Sequence, residues 1–324
     1  GVARMDMDEG RTCLCRSDGG LCDLGGRDWK MRRHRRCVDC AGNGAGDHDL
    51  AGHRILRFVD SLGGFGMDMQ LKDARVIVTA GASGIGREIV QAFHDEGARI
   101  ATCDIDEAAL EALRDDLPGI HAAICDVSDP AAAAVFVADA IAHLGGLDTL
   151  VNNAGIAGPT AAVEDIDPHD WARTLNVCLT GQFNCTRAAI AALRNSDNAS
   201  ITNMSSAAGR LGFARRTPYA AAKWGVVGFT KSLALELGPV GIRANAILPG
   251  LVAGDRQRRV MEARAQSRGK TIPEIEAEAF DRVSIREFVT ARQLADQILL
   301  LASPRGRTIS GQAIAIDGDL GMLG

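Results

Sequence analysis

From residue 71 onward, short apolar runs alternate with longer segments whose apolar residues recur at helical spacing. The apolar runs, rich in β-branched and aliphatic residues, predict strands over 75–79, 99–103, 121–125, 147–151, 200–203, 243–248 and 312–316. The segments between them predict helices over 87–96, 107–116, 130–144, 171–193, 218–237 and 291–302. Strands that are apolar throughout and alternate with helices are typical of a parallel sheet covered on both faces. We therefore predict an α/β fold with a doubly wound parallel sheet, whose ligand binds beyond the carboxyl ends of the strands.

Residues 1–66 follow neither period, and they differ from the rest in composition. This segment holds five of the nine cysteines, which are Cys13, Cys15, Cys22, Cys37 and Cys40. One interpretation is a zinc site, although the single CxxC pair lacks the second pair that such sites use. The interpretation that explains the absence of pattern better is an unstructured or spurious extension. We therefore predict an extension over 1–66 and one folded domain over 67–324.

Composition and charge limit the kinds of partner that we expect for this protein. Hydrophobic residues make up 46% of the chain and charged residues 24%, as in ordinary globular proteins. The formal net charge of -5 argues against a nucleic-acid partner, which needs a basic face. No stretch reaches the roughly 18 to 20 apolar residues of a membrane span, and we find no secretory signal. We therefore expect a cytoplasmic protein with reduced cysteines and no membrane partner.

A glycine-rich turn lies between the first predicted strand and the first predicted helix. It reads Thr79-Ala80-Gly81-Ala82-Ser83-Gly84-Ile85-Gly86. Glycines let the backbone turn sharply and approach a pyrophosphate, whose charge is stabilised at the helix N-terminus. Tight turns also need glycine on steric grounds alone, but the position in a βαβ unit favours dinucleotide binding. The predicted cofactor contacts in the turn are Gly81, Ser83, Gly84, Ile85 and Gly86.

Acidic residues follow the next two predicted strands. A carboxylate at Asp104 can accept hydrogen bonds from the adenosine ribose and repel a 2′-phosphate. The alternative is an ordinary helix N-cap, for which Asp106 is the better candidate. Because Ser83 stands where a basic residue would hold a 2′-phosphate, and no arginine directly follows Asp104, we expect NAD rather than NADP. Asp126, next to Val127, suits the adenine amino group, and a plain turn or cap explains it nearly as well.

The fourth predicted strand is followed by Asn152-Asn153-Ala154-Gly155. Small residues there allow close contact with a cofactor, so we predict contacts from Asn153, Ala154 and Gly155. The asparagine amides can also tie adjacent strands together. By itself the tetrapeptide is consistent with a simple turn.

Four polar residues of the second half form the most distinctive set, namely Asn176, Ser206, Tyr219 and Lys223. Tyr219 is the only tyrosine of the chain, and Lys223 lies one helical turn after it on the same face. A cation beside a phenol favours the phenolate, which can exchange a proton with an alcohol or ketone near neutral pH. Ser206 can hydrogen-bond the reacting oxygen, and Asn176 would hold a water that connects Lys223 to solvent. The alternative for Tyr219 is a surface helix residue with a fortuitous lysine.

In this order the motifs resemble those of the short-chain dehydrogenase/reductase family. The resemblance covers residues 71–320 and rests on the glycine turn 79–86, Asp104, Asn152–Gly155, Asn176, Ser205-Ser206, Tyr219, Lys223 and Pro249-Gly250. It implies a Rossmann-type domain that forms homodimers or homotetramers and passes a hydride between the nicotinamide and a carbinol carbon of a small alcohol or ketone. It also implies that Lys223 and Tyr219 contact the cofactor, with Lys223 on the nicotinamide ribose.

The chain departs from the family pattern at two places. Ala80 stands where the family usually has the first glycine of its turn; alanine is small and Gly81 follows, so we expect the turn to form. After Pro249 and Gly250, which we expect at the cofactor, the family often has a threonine for the nicotinamide carboxamide. This chain has no threonine there, and we expect backbone groups such as those of Val252 to hold the carboxamide.

A polar, largely helical segment between Gly250 and Ala291 is expected to cover the substrate. Its arginines and glutamates fit either an anionic substrate or, as we favour, a solvated helix with its own ion pairs. Arg215 and Arg216 are better placed to reach a substrate, although surface exposure also explains them.

Three functions are compared with this sequence. We favour NAD-dependent oxidation of a secondary alcohol, on a sugar or a hydroxy acid. The alternative enzyme is a 3-oxoacyl-[acyl-carrier-protein] reductase, which would prefer NADPH. A binding protein that keeps the fold without catalysis should have lost Ser206, Tyr219 or Lys223, and none of them is missing.

Overall fold

The computed structural model describes residues 2–7, 11–16 and 68–323, which fall into two compact units, Gly1–Gly66 and Met67–Gly324. In the first unit, strands β1 (Val2–Met7) and β2 (Arg11–Arg16) pair antiparallel. Cys13 and Cys15 belong to β2, whereas Cys22, Cys37 and Cys40 lie outside the described residues. The predictions of an unstructured extension and of a zinc site therefore fall mainly on residues that are not described.

The second unit is built on a seven-stranded parallel sheet. Its strands are β3 (Arg75–Thr79), β4 (Arg99–Asp104), β5 (His121–Ile124), β6 (Thr149–Asn152), β7 (Ser200–Met204), β8 (Arg243–Pro249) and β9 (Ala313–Ile316). They lie in the order β5-β4-β3-β6-β7-β8-β9, and every neighbouring pair is parallel. This confirms the predicted doubly wound sheet. The strand order reverses between β3 and β6, where folds of this kind have a crevice at the carboxyl ends.

Helices connect the strands. They are α1 (Gly84–Asp95), α2 (Glu107–Asp116), α3 (Pro130–Leu144), α4 (Pro168–Leu175), α5 (Gly181–Leu193), α6 (Thr217–Leu237), α7 (Asp255–Arg268), α8 (Ile272–Phe280) and α9 (Ala291–Ala302). A π-helical turn, Asn176–Thr180, joins α4 to α5, so the helix predicted over 171–193 changes its winding midway. In the described part of the chain, no helix combines the length and apolarity needed to cross a bilayer.

The sheet is buried on both faces because its side chains alternate between two apolar layers. On one face, Ile77 of β3 packs in a cluster with Phe136 of α3 and Leu193 of α5. On the other face, Val76 and Val78 pack with residues of α1, α2 and α9, such as Phe93. The carboxyl ends of the strands, where the sequence predicts the ligand, thus belong to a sheet that is closely packed on both faces.

The segment between β8 and α9 has a small apolar cluster of its own, made by Met261, Ala265, Ile275 and Ala279 of α7 and α8. Ion pairs link its exposed side chains: Arg258 pairs with Asp255 and Glu262 of the same helix. Such pairs fit the solvated-helix interpretation of this segment. The side chains of Arg256 and Arg264 lie outside the described residues.

Candidate active site

The glycine turn forms directly after β3, and two of its glycines are required by close packing. A Cβ on Gly86 would lie 1.9 Å from the carbonyl oxygen of Ala80 and 2.5 Å from Nδ2 of Asn153. A Cβ on Gly81 would lie 2.1 Å from Oγ1 of Thr102. Gly84 has φ +55° and faces open space, since a Cβ there meets nothing within 4 Å. The turn is therefore packed on its inner side and open on the side of the α1 N-terminus.

Ala80 completes this turn although it is not a glycine. Its φ is +52°, a left-handed conformation that costs a residue with a Cβ about 1 to 2 kcal/mol. Its carbonyl oxygen accepts from Nδ2 of Asn153 at 2.9 Å, while Oγ1 of Thr79 accepts from the N–H groups of Asn153 and Ala154 at 2.9 and 3.1 Å. These bonds from the β6 side hold the turn in place, and the expectation that alanine is tolerated there agrees with the structure.

The predicted pyrophosphate side of the turn fits an anionic dinucleotide. Ser83, in extended conformation, is the N-cap of α1, and its side chain makes no capping hydrogen bond. The first turn of a helix leaves backbone N–H groups without helical partners, and it favours negative charge. Ile85 and Gly86 belong to this first turn. A nicotinamide dinucleotide would therefore find N–H donors and room for its phosphates there.

Asp104 ends β4 with its carboxylate fixed by backbone donors. Oδ2 accepts from the N–H of Ala82 in the glycine turn at 3.2 Å, and Oδ1 accepts from the N–H of Ile105 at 2.8 Å. The cap of α2 is Asp106, whose Oδ1 accepts from the N–H of Ala109 at 3.0 Å. Asp104 is thus not the N-cap, and its negative charge is held beside the glycine turn.

Asp126 and Val127 differ in burial. Asp126 is exposed, and its Oδ1 accepts from both the N–H and the Oγ of Ser128 at 2.9 and 2.7 Å. These are the contacts of the plain turn that was its alternative interpretation. Val127 is buried, and its carbonyl oxygen accepts from Nδ2 of Asn184 on α5.

Asn152 lies within the core and ties strands together, as the sequence indicated for these amides. Its Nδ2 donates to Oδ1 of Asn203 on β7 at 2.8 Å and to Oγ1 of Thr186 at 3.0 Å. Asn203 in turn donates to Oγ1 of Thr230 on α6 at 3.0 Å. Both of the asparagines are fully buried, so this network fixes β6, β7 and α6 relative to one another.

Lys223 is a buried cation beside the tyrosine. It is 4% exposed, and its Nζ donates to the carbonyl oxygen of Met204 at 2.8 Å. Its Nζ lies 5.7 Å from the ring centroid of Tyr219, which is half-buried on the same helix, α6. A Cβ on Gly155 would be 3.4 Å from that Nζ. The structure therefore brings Tyr219, Lys223 and Gly155 together at the carboxyl ends of β6 and β7.

Ser205 and Ser206 both lie at the end of β7, next to this cation. Ser205 is buried, and its Oγ donates to the carbonyl oxygen of Lys223 at 2.8 Å. Ser206 is half-buried, and its Oγ accepts from the N–H of Ala208 at 3.2 Å. Ser205 thus fastens the strand end to α6, and Ser206 presents its hydroxyl near the surface of the site.

Asn176 makes no side-chain hydrogen bond to Tyr219 or Lys223 within the part of the chain that the structure describes. It begins the π-helical turn, and its side chain is exposed. Cys178, two residues later, is fully buried; its Sγ accepts from the N–H of Ile156 and donates to the carbonyl oxygen of Ile156, each at 3.3 Å. Residues two apart on a helix point in roughly opposite directions, so Asn176 faces away from the segment beside Lys223. The expected contact of Asn176 with a water at Lys223 stays a prediction, and no pattern in the sequence pointed to Cys178.

Arg216 adds a second cation next to Tyr219. Its guanidinium carbon lies 5.1 Å from the ring centroid of Tyr219 and 5.1 Å from that of Phe213, and its Nη2 donates to the carbonyl oxygen of Ala157 at 2.6 Å. From the sequence, Arg216 was one of two arginines placed to reach a substrate, with surface exposure as the alternative explanation. Its spacing of three residues before Tyr219 is one helical turn, which could have indicated the contact.

The predicted carboxamide segment is pinned by backbone bonds. Pro249 ends β8, and the N–H of Gly250 donates to the carbonyl oxygen of Ile316 at 3.0 Å. Val252 forms a parallel bridge with Val289, in which the carbonyl of Leu251 and the N–H of Ala253 make the hydrogen bonds. Because a parallel bridge uses the groups flanking Val252, the N–H and C=O of Val252 itself point to the opposite side.

A doubly wound sheet with a glycine turn before α1, an acidic end on β4 and a Ser-Tyr-Lys group on β7 and α6 defines a nicotinamide-dependent oxidoreductase. Comparisons with known proteins agree. A family model described as "Enoyl-(Acyl carrier protein) reductase" matches residues 79–320. The chain therefore belongs to the short-chain dehydrogenase/reductase family, whose members carry out NAD(P)-dependent oxidation and reduction of hydroxyl and ketone groups.

The matches with individual relatives cover nearly the whole length of those proteins. The 3-oxoacyl-[acyl-carrier-protein] reductase FabG of Thermotoga maritima is 33% identical, over 78% of this chain and 99% of its own. The D-beta-hydroxybutyrate dehydrogenase of Cupriavidus necator is 35% identical, over 76% and 98%. Among solved structures, NAD+-bound xylitol dehydrogenase is similar with a TM-score of 0.72 and 26% identity, covering 77% of this chain and 99% of that one.

Proposed function

We propose that this protein oxidises a secondary alcohol with NAD, and reduces the ketone in the reverse direction, with Tyr219 as general acid/base. The observation that carries the proposal is the buried Nζ of Lys223, 5.7 Å from the ring centroid of the only tyrosine in the chain. A fixed cation beside a phenol favours the phenolate, and a phenolate can take the hydroxyl proton of an alcohol.

The other residues have distinct roles in this proposal. Ser206 hydrogen-bonds the reacting oxygen and orients it toward Tyr219. Lys223 contacts the nicotinamide ribose and keeps its charge beside the phenol, because its hydrogen bond to the Met204 carbonyl holds it in place. When bound, the nicotinamide accepts or supplies the hydride. The side chain of Asn176 is exposed, and its predicted water, which connects Lys223 to solvent, remains a prediction.

NAD is the proposed cofactor because of the charge at Asp104. The carboxylate is held beside the glycine turn by the N–H groups of Ala82 and Ile105. From there it can accept hydrogen bonds from the adenosine ribose, whereas a 2′-phosphate would meet a negative charge of the same sign. We propose further contacts with NAD from the Gly81–Gly86 turn, from Asn153, Ala154 and Gly155, and from the backbone of Val252.

The substrate that we propose is a sugar or hydroxy acid. The similarity to D-beta-hydroxybutyrate dehydrogenase and to xylitol dehydrogenase supports small hydroxylated substrates. A second candidate function is reduction of a 3-oxoacyl group on acyl-carrier protein, supported by the similarity to FabG of Thermotoga maritima. The NADPH expected for that reaction is disfavoured by Asp104.

The test is Tyr219→Phe, assayed beside the wild type on alcohols, sugars and 3-oxoacyl thioesters with each nicotinamide cofactor. We expect kcat/KM on the preferred substrate to fall by about 10²- to 10⁴-fold, because the variant lacks the group that moves the proton. The Kd for NAD should change little, which separates a chemical defect from a binding defect.

Since Tyr219 is the only tyrosine, the ultraviolet difference spectrum of the wild type follows the ionisation of this one phenol, and Tyr219→Phe is its blank. A variant that retained most of the wild-type activity would show that the mechanism is wrong. Preference for 3-oxoacyl thioesters with NADPH would replace the leading function with the second candidate.

A further inference from the structure

The Ser206 hydroxyl is presented by one short turn of the chain. Ser206 is the N-cap of the 3₁₀-helical turn Ala207–Gly209, and Arg210 is its C-cap. The N–H of Gly209 donates to the carbonyl oxygen of Ser206 at 2.7 Å, and the N–H of Arg210 donates to that of Ala207 at 3.1 Å. Because these bonds tie the two ends of the turn together, the position of Arg210 affects the direction of Ser206.

The inner side of this turn lies against the backbone of α6. A Cβ on Gly209 would lie 2.3 Å from Oγ of Ser205 and 2.7 Å from the carbonyl oxygen of Lys223. Ser205 donates to the same carbonyl oxygen at 2.8 Å. The turn is thus packed directly on the helix that carries Tyr219, with no space for a side chain between them.

Arg210 fastens the other end of the turn to the C-terminal segment. Its Nε and Nη2 donate to Oδ2 of Asp317 at 3.2 and 2.6 Å, and Nη2 also donates to the carbonyl oxygen of Leu320 at 2.9 Å. The Asp317 side chain is 3% exposed, and its Oδ1 accepts from the N–H groups of Asp319 and Leu320 at 3.1 and 3.4 Å. Hydrogen bonds between charged groups are stronger than neutral ones, so this buried carboxylate holds the guanidinium in one direction.

The C-terminal segment is also joined to the segment that we expect to cover the substrate. Val283, which lies between α8 and α9, forms an antiparallel bridge with Leu320. Leu320 is 2% exposed and packs in one apolar cluster with Val283 and with Ala207 of the serine turn. Arg210 therefore lies where the serine turn, the C-terminal segment and the covering segment meet.

We propose that Arg210 is a positioning residue that acts through Ser206, by holding the serine turn against the C-terminal segment. This inference rests on the proposed function, in which the Ser206 hydroxyl orients the reacting oxygen. The ion pair with Asp317 fixes the far end of the turn, while the packing on α6 fixes its inner side. A misplacement of about 1 Å can lower the rate of an enzyme about 100-fold, so a relaxed turn should slow the reaction.

The test is Arg210→Gln, made both in the wild type and in Ser206→Ala. All four proteins are assayed with NAD on the preferred substrate, at enzyme concentrations that resolve the residual rate of Ser206→Ala. In the wild-type background we expect kcat to fall about 10- to 100-fold, with KM for NAD changed by less than about threefold. In the Ser206→Ala background the same substitution should lower kcat by less than about threefold, because the hydroxyl that Arg210 positions is gone. A residue that only supports the fold would lower kcat by the same factor in both backgrounds.

Two further variants serve as matched comparisons. Arg210→Lys keeps the charge beside Asp317 but lacks the planar fork that serves the carboxylate and the Leu320 carbonyl together, so its kcat should lie between those of Arg210→Gln and the wild type. Arg292 of α9 also donates to two carboxylates, and its side chain is 46% exposed. Arg292→Gln removes an equal charge far from Ser206 and should leave kcat unchanged.

Stability is measured beside activity, because Arg210→Gln leaves the Asp317 carboxylate buried without its cation. We expect its Tm to fall for that reason. If this variant does not fold, the double variant Arg210→Gln/Asp317→Asn takes its place, since its neutral amides leave no charge buried at the junction. Its kcat should show the same dependence on Ser206.

Wild-type kcat in Arg210→Gln would overturn the proposal, and so would equal losses in the two backgrounds. A loss confined to KM for NAD would also overturn it, since Arg210 would then act on the predicted cofactor segment at Gly250, where a Cβ would lie 2.5 Å from Cβ of Asp317. Failure of the proposed function is a separate result, namely most of the wild-type activity retained in Tyr219→Phe.

Discussion

Ser205 and Ser206 are adjacent and chemically identical, yet the end of β7 gives them different surroundings. Ser205 is buried and bonded to the Lys223 backbone, and Ser206 is half-buried at the site. Asp104 and Asp106 are divided in the same way, because the first contacts the glycine turn and the second caps α2. The sequence predicted this second division, since Asp106 stands at the start of a predicted helix. Each pair thus offers a residue with a proposed function and a neighbour of the same type as its control.

The Asp104 pair tests the choice of cofactor. We expect Asp104→Asn to lower the ratio of kcat/KM with NAD to kcat/KM with NADP by about 10- to 100-fold, since it removes the charge that repels a 2′-phosphate while keeping one of the two oxygen acceptors that serve Ala82 and Ile105. Steady-state kinetics with both cofactors on one substrate measures this ratio.

Asp106→Asn provides the control for that measurement. It removes an equal charge two residues away, and asparagine caps helices as well as aspartate does. Its cofactor ratio should match that of the wild type. If Asp104→Asn also left the ratio unchanged, Asp104 would not be the residue that selects NAD.

At the scale of elements, the π-helical turn Asn176–Thr180 is the feature that the sequence pattern did not predict. The apolar period predicted one helix over 171–193, and the structure has α4, the π turn and α5 over that stretch. One widened turn rotates the residues that follow it around the helix axis. A single such turn is too short to change the apolar spacing of 3.6 residues by which helices are predicted. This is why Asn176, selected by its place in the chain, is exposed, while Cys178 faces Ile156. The strands were predicted more reliably than this helix, because they are apolar on both faces and each forms a short continuous apolar run.

The starts of β3 and β6 are joined by a contact that hydrophobic patterns do not reveal. Arg75 at the start of β3 donates from Nε and Nη2 to both carboxylate oxygens of Asp148, just before β6, at 2.9 and 2.6 Å. Ser196 donates to the same carboxylate at 2.6 Å. Burial alone would raise the pKa of the Asp148 carboxyl, but the hydrogen bonds from Arg75 and Ser196 outweigh it and hold that pKa below its ordinary value.

This ion pair makes part of the stability depend on pH. We expect Asp148→Asn to reduce the free energy of unfolding by about 1 to 2 kcal/mol at neutral pH, because the carboxylate accepts charged hydrogen bonds at the β3–β6 junction. A carboxyl whose pKa is lowered by folding stabilises above its unfolded value, about pH 4, and this contribution is lost as the pH falls through the lowered folded value. Urea unfolding at a series of pH values measures the difference.

Asp116→Asn is the matched control for this ion pair. Its partner Arg87 lies 2.9 Å away, but the Asp116 side chain is 65% exposed, so its loss should cost less than about 1 kcal/mol. A difference between wild type and Asp148→Asn that stayed constant from neutral to acidic pH would contradict the assignment to the ionised carboxylate.

For the whole molecule, the sequence predicted the doubly wound sheet and the Ser-Tyr-Lys group because each rests on many positions or on fixed spacing. The hydrogen bond from Arg216 to the Ala157 carbonyl could not be predicted, since this bond and the left-handed turn at Arg215 are both set by tertiary structure. The place where the folded domain begins is defined by contacts in the same way. The carbonyl oxygen of Asp68 accepts from Nε of Arg305 at 2.8 Å, and Leu71 is 1% exposed.

We therefore expect a chain that starts at Met67 to equal the full-length protein in kcat/KM within about twofold and in zinc content, because the proposed site and its support lie within 68–323.

A chain that starts at Lys72 should unfold at a lower temperature than the chain that starts at Met67. It loses Leu71, whose burial contributes about 2 kcal/mol, and the Asp68 contact to Arg305, so the Tm should fall by about 4 to 8 °C for a domain of this size. Calorimetry and metal analysis of the three chains test both boundaries. Zinc lost together with residues 1–66 would restore the metal-site interpretation of the cysteines, and equal melting of the two shortened chains would move the start of the domain beyond Leu71.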